Sequence, residues 1–165
     1  MDDEVETPTR HDTELVREAM TMALYLSLSL LAVIVAMPVS NEENGVRAGV
    51  TLLVTALGLL LAHHLAFRMS SRLVNQGVLT DESVSALQAQ ALGGVPVAVA
   101  AAFPVFVLGE LPGEYVAELL LVAFVALVGY RSARQATTPL RSLLYVLAVV
   151  LFALVVILVK LAVGH

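Results

Sequence analysis

The sequence predicts an all-α protein, a membrane helix bundle of five transmembrane helices with the third kinked by Gly and Pro. Three observations carry that prediction. The chain is 59% hydrophobic and 14% charged, with a mean hydropathy of +0.89, whereas a water-soluble domain is about half apolar and a quarter charged. Several stretches long enough to cross a bilayer carry no formal charge; the clearest is the twenty residues from Ala48 to Phe67, about the length a helix needs. Arginine is also distributed in a pattern that matches five crossings, as set out below.

Residues 1–17 read as an acidic, solvated cytoplasmic tail. With Glu18, its Asp2, Asp3, Glu4, Glu6, Asp12 and Glu14 outnumber Arg10 and Arg17 and account for most of the net charge of -5. Acidic groups from Asp12 onward suit the first turns of a helix, whose N-terminus carries partial positive charge. The start of the chain lacks a basic region and a small-residue cleavage pattern, so the first span is expected to be retained.

The five spans are expected at about 18–38, 46–68, 87–109, 114–133 and 140–163, forming a single domain after the tail. On the first, Tyr25, Ser29, Ala32 and Ala36 share a face, and small or hydroxyl residues on one stripe allow close helix contact in lipid. Ser40, Asn41, Asn44 and Gly45 supply turn chemistry after it. The second span is expected to organise the others. Thr51, Thr55, Gly58 and Ala62 form its small-residue face, and its helix should run on to about Gln76 and stop at Gly77. Thr80 reads as an N-cap, followed by Asp81 and Glu82. The third helix contains Gly93, Gly94, Pro96 and Pro104, and each internal proline removes a backbone hydrogen bond. A Pro-Gly turn is expected within residues 109–114. Thr138 and Pro139 read as the start of the fifth helix.

Counting Arg and Lys on alternate sides of these spans places Arg10, Arg17, Arg68, Arg72, Arg131, Arg134 and Arg141 on one side, against Arg47 and Lys160 on the other. Basic residues favour the cytoplasmic side. The protein is therefore expected in the cell membrane with its N-terminus cytoplasmic and its C-terminus external.

Three polar groupings are candidates for chemistry. His63 and His64 lie near the cytoplasmic end of the second span, about 100° apart on the helix, and His64 shares a face with Arg68 and Arg72. Imidazole titrates near neutrality and can serve as a pH-sensitive gate; the plainer reading is interfacial hydrogen bonding. Glu114 and Glu118 lie four apart, near Glu110 and on the side expected to carry Glu42 and Glu43. Such an acidic mouth would concentrate cations; the plainer reading is solvated charge, with Glu118 paired to Lys160. Gln88 and Gln90, with the candidate hinge Gly93, Gly94, Pro96 and Pro104, could line a pathway, as broken helices do in transporters.

Other chemistry is disfavoured. The chain contains no cysteine, which removes thiolate metal sites and cysteine nucleophiles. No basic stripe favours nucleic acid. His11 and His165 lie outside the expected spans, so the histidines cannot face one another as haem ligands. No metalloprotease, nucleophile-elbow, P-loop or dinucleotide motif occurs. No cofactor, metal or catalysis is expected. The partners expected are the lipid bilayer and a second copy or another membrane protein. The sequence favours a structural or accessory membrane subunit; the alternative is a small cation or proton channel or transporter using Glu118 and the His63/His64 pair.

Overall fold

In a computed structural model of the chain, residues 10–37 and 45–136 are described, with residues 140, 144, 147, 148 and 151. Four α-helices follow one another: α1 (Arg10–Ala36), α2 (Gly45–Val74), α3 (Asp81–Leu108) and α4 (Glu110–Ala136). Each is long and apolar enough to cross a bilayer. A 27-residue helix is about 40 Å long at 1.5 Å per residue, which exceeds the roughly 30 Å hydrocarbon layer.

The count of five spans is not supported: among the described residues four helices are long enough to cross. The expected fifth span lies outside the described residues except at Leu140, Leu144, Leu147, Ala148 and Leu151, whose backbone is helical. Lys160, Arg141, Thr138, Pro139 and the 39–44 loop also lie outside them.

Local chemistry accounts for the helix ends. α1 contains no Gly or Pro and starts at Arg10, so residues 10–17 belong to a helix and not to a free tail. Asp12 in its first turn suits the helix dipole. α2 closes in a turn in which the Gly77 N–H donates to the Arg72 carbonyl at 2.7 Å, while Gln76 takes the left-handed conformation at φ 53°. That is a Schellman ending with glutamine where glycine is usual. Thr80 caps α3, its hydroxyl accepting from the Ser83 N–H at 3.2 Å. α3 and α4 are joined by Gly109 alone, at φ 85°. The expected Pro-Gly turn is instead the first turn of α4, where a missing proline N–H breaks no helix bond.

The expected kink in α3 is likewise not supported. The helix is continuous from Asp81 to Leu108 through Gly93, Gly94, Pro96 and Pro104. Each proline removes one bond of the ladder, and α3 is held along its length by all three other helices. α3, not α2, is the central element.

Direct contacts give the helix directions. Glu18 meets Gln90 and Ala19 meets Gly93, so α1 runs parallel to α3. His64 meets Leu87, Leu60 meets Gly94 and Gly45 meets Val105, so α2 runs antiparallel to α3. Gly113 packs on Pro104 and Val105, which sets α4 antiparallel as well.

The buried faces differ from the small-residue stripes expected. α1 buries Met22, Ala23, Leu26, Ser27, Leu30 and Ile34, while Tyr25, Ala32 and Ala36 are exposed and Ser29 is half-buried. α2 buries Gly45, Ala48, Gly49, Leu52, Ala56 and Leu60, with Thr51, Gly58 and Ala62 outward. The reason is complementarity. Against α1, the small surface belongs to α3, through Gly94, Ala98, Ala101 and Ala102, and α1 contributes bulk. α2 instead buries a different small stripe, Gly45, Ala48, Gly49 and Ala56, with Gly49 under the Phe106 ring of α3.

The closest approach is at Gly93, where a β-carbon would collide with the Ala19 carbonyl oxygen. Gly58 has open space around its α-carbon. Gly93→Ala should therefore lower stability by about 2 kcal/mol, the usual cost of overpacking. Gly58→Ala should be neutral or stabilise by up to about 1 kcal/mol. Equilibrium unfolding of both variants in detergent checks this; equal effects would show that the α1–α3 approach is not tight.

Candidate functional site

Apart from Ser27, the polar side chains of the interior, among the described residues, lie at two levels. At one, Glu114 and Glu118 occupy the face of α4 that also carries Gly113, Ala117 and Leu121. They are 4% and 3% exposed. Counting from Glu110, Glu118 lies about 12 Å into the helix. At the other level, the Gln90 amide of α3 donates from Nε2 to Glu18 Oε2 of α1 at 2.9 Å. Gln90 is 2% exposed, and its buried Oε1 has no hydrogen-bond partner among the described residues. Glu18 also lies 3.7 Å from Arg17. Between the levels the interior is apolar, filled by Leu26, Leu30, Leu52 and Leu121 with alanines of α3. Ser27 is buried there, its hydroxyl donating to the Ala23 carbonyl at 2.7 Å.

Glu18 and Ser27 are polar residues of this interior that sequence reasoning did not single out. The signal for Glu18 was present: Glu18, Met22, Leu26, Leu30 and Ile34 recur every four residues, which places the carboxylate on the buried stripe. Gln88, two residues before Gln90, faces outward and is exposed. The two glutamines therefore do not share a pathway.

A polar crevice of about 280 Å³ reaches Glu18 from the end where α1 begins and α2 meets α3. His11, Glu14, Asn75, Thr80 and Glu82 contribute to its walls. Among the described residues, no group of three or more His, Asp or Glu side chains is gathered so as to hold a metal ion.

The histidines face different neighbours. The His63 ring lies 5.8 Å from the Tyr25 ring of α1, tilted by 36°. His64 faces α3: Nδ1 is 2.8 Å from the Leu60 carbonyl oxygen of its own helix, and Nε2 is 3.2 Å from the Leu87 carbonyl oxygen. Both partners are acceptors. A neutral imidazole has one N–H and can donate to one of them; the imidazolium donates to both. Arg68, one turn on, is exposed beside a groove between α2 and α3. Gly93 and Gly94 lie at helix contacts, against Ala19 and Leu60 respectively. Pro104 is buried under Gly113, and Pro96 is exposed.

With a proton on Nε2, His64 ties α2 to α3 through the Leu87 carbonyl. His64→Leu should therefore cost about 1 kcal/mol of folding stability, the net worth of one such bond. His63→Leu, which loses a ring contact alone, should cost less. If unfolding shows His64→Leu no worse than the outward Leu65→Ala, the tie to Leu87 carries no energy.

No family model matches this chain, no curated protein is significantly similar to it, and no solved structure matches its fold.

Proposed function

We propose that the chain is a multi-pass protein of the cell membrane that transports protons or small cations, its carboxylates stationed at two depths of one helix bundle. The N-terminus is cytoplasmic, following the arginine distribution, and the C-terminus is external if residues 140–163 add a fifth crossing to the four helices. The observation that carries the reading is the burial of Glu114 and Glu118 on the inner face of α4. Ionisable groups within a spanning helix are expensive, and where they persist they mark ion pathways and proton relays.

Glu18 supports the reading from the opposite end. A polar crevice gives it contact with water, and Gln90 holds it against α3. The apolar layer between the two levels closes the interior, so passage requires the helices to part. This favours alternating exposure of the two stations over an open pore. Gly93, Gly94, Pro96 and Pro104 are the places where α3 could flex, and His64, bridging α2 to α3, is the group whose protonation would be felt there. No catalytic step enters the reading.

A second reading, a structural or accessory membrane subunit, rests on the outward small residues of α1 and α2. Ala32 and Ala36, and Thr51, Gly58 and Ala62, face away from the bundle. They suit close approach of another membrane helix, from a second copy or a different protein.

Proton flux into proteoliposomes separates the two. Under the transport reading, Glu118→Gln lowers the flux at least tenfold, Glu18→Gln lowers it too, and Asp81→Asn on the exposed start of α3 leaves it unchanged. Flux indifferent to Glu118→Gln removes that residue from the mechanism. A chain with no flux, extracted in fixed ratio with a second protein by native mass spectrometry, is an accessory subunit.

Orientation is checked separately in this cysteine-free chain. With an impermeant thiol reagent on intact cells, Glu110→Cys is expected to label and Ser71→Cys is not. The reverse pattern inverts the topology.

A further inference from the structure

We propose that the groove between α2 and α3 holds one acyl chain of an anionic phospholipid, with its phosphate on Arg68. This inference rests on the bilayer placement proposed above and is independent of the transport reading. The groove measures about 660 Å³, within the range of small-ligand sites. Its walls are Leu57, Leu61 and Leu65 of α2 and Ala91 and Val95 of α3. From Leu57 to Arg68 it follows eleven residues of α2, about 16 Å. That is close to half of a hydrocarbon layer of roughly 30 Å, the depth reached by one chain of one leaflet.

The polar groups of the groove all lie at one end. His64 is turned toward the Leu60 and Leu87 carbonyls, which leaves its nitrogens little freedom to bind anything else. The exposed groups are the Arg68 guanidinium and the Gln88 amide. Among the described residues no carboxylate lines the groove, and none lies within ion-pair distance of Arg68. Arg72 stands one turn further along the same face. The crevice on the other side of α3 is mixed in charge, with Glu14, Glu18 and Glu82 in its walls beside Arg17 and His11. An apolar slot one leaflet deep, ending in an arginine with no counter-charge among the described residues, matches a lipid with an anionic head. Basic pockets between spanning helices on the cytoplasmic side recognise such lipids.

The chain contains no tryptophan, so a single reporter can be placed in the groove. The full chain carrying Leu61→Trp is reconstituted in phosphatidylcholine vesicles. Phosphatidylglycerol or phosphatidylcholine with brominated acyl chains is then titrated in, and fluorescence quenching is read. Leu119→Trp, on the outward face of α4, serves as the reporter away from the groove. For Leu61→Trp, half-quenching is expected at about fivefold lower mole fraction of the anionic lipid, the effect of one arginine near a phosphate. Adding Arg68→Gln should abolish that preference, and Leu119→Trp should show none.

Equal quenching of Leu61→Trp by both lipids would overturn the proposal, because the groove would then hold ordinary boundary lipid. Quenching of Leu119→Trp alone would also overturn it, showing the groove covered by protein, either a further segment of this chain or a second copy. A preference lost equally in Arg131→Gln would assign the effect to overall surface charge and reject the site. If neither reporter is quenched by either lipid, the bilayer placement itself fails, and this inference with it.

Discussion

The backbone of α3 approaches that of α1 so closely at Gly93 that no side chain fits between them, and the rest of the bundle is arranged around that approach. Helices in lipid gain little from the hydrophobic effect on meeting one another, because the lipid tails are as apolar as leucine. What holds them is dispersion, which falls away once surfaces separate by even a fraction of an ångström. Gly93 fixes the register of α1. Met22, Leu26 and Leu30 then drop onto the small surface of α3, and Glu18 arrives beside Gln90. Gly113 against Val105 does the same for α4 and sets the depth of Glu114 and Glu118.

Much of the helical plan was legible in the sequence. Charge-free runs marked helices of spanning length, and the cap at Thr80 and the stop near Gly77 followed from residue chemistry. The faces of the helices were not legible. In water, the apolar stripe of a helix points inward. In lipid, both faces are apolar, so hydrophobicity cannot say which is inside. The small-residue stripes on α1 and α2 were read as contact faces because such residues allow close packing, but α1 meets the small surface of α3 with bulk, and α2 carries a second small stripe, Gly45, Ala48, Gly49 and Ala56, which is the one it buries. The kink failed for a related reason. A proline weakens one rung of an isolated helix, while α3 is supported from three sides. Glu118 stood out as a charge within a span. Glu18 did not, because it ends a run of acidic residues that reads as a solvated segment, although its four-residue spacing with Met22 and Leu26 was there to be seen.

The polar interior is costly in stability. A carboxylate in a spanning segment is expensive unless it is partnered, and Glu18 has Gln90 and Arg17 beside it. Gln90 adds a buried oxygen with no partner among the described residues. Residues of leucine or methionine size at these positions would satisfy the packing alone. Among the described residues, the layer between the two polar levels holds one polar side chain, Ser27, whose hydroxyl is satisfied within its own helix; the proposed transport reading draws on this separation.

The link between α3 and α4 is a single residue, Gly109. A connection that short leaves no slack for one helix to slide along or turn against the other. α3 and α4 therefore behave as one hairpin, and the carboxylates of α4 travel with Gln90. Any large rearrangement must separate this hairpin from α1 or α2, and the seams where that can happen are the ones crossed by the Glu18–Gln90 bond and by the His64 ring.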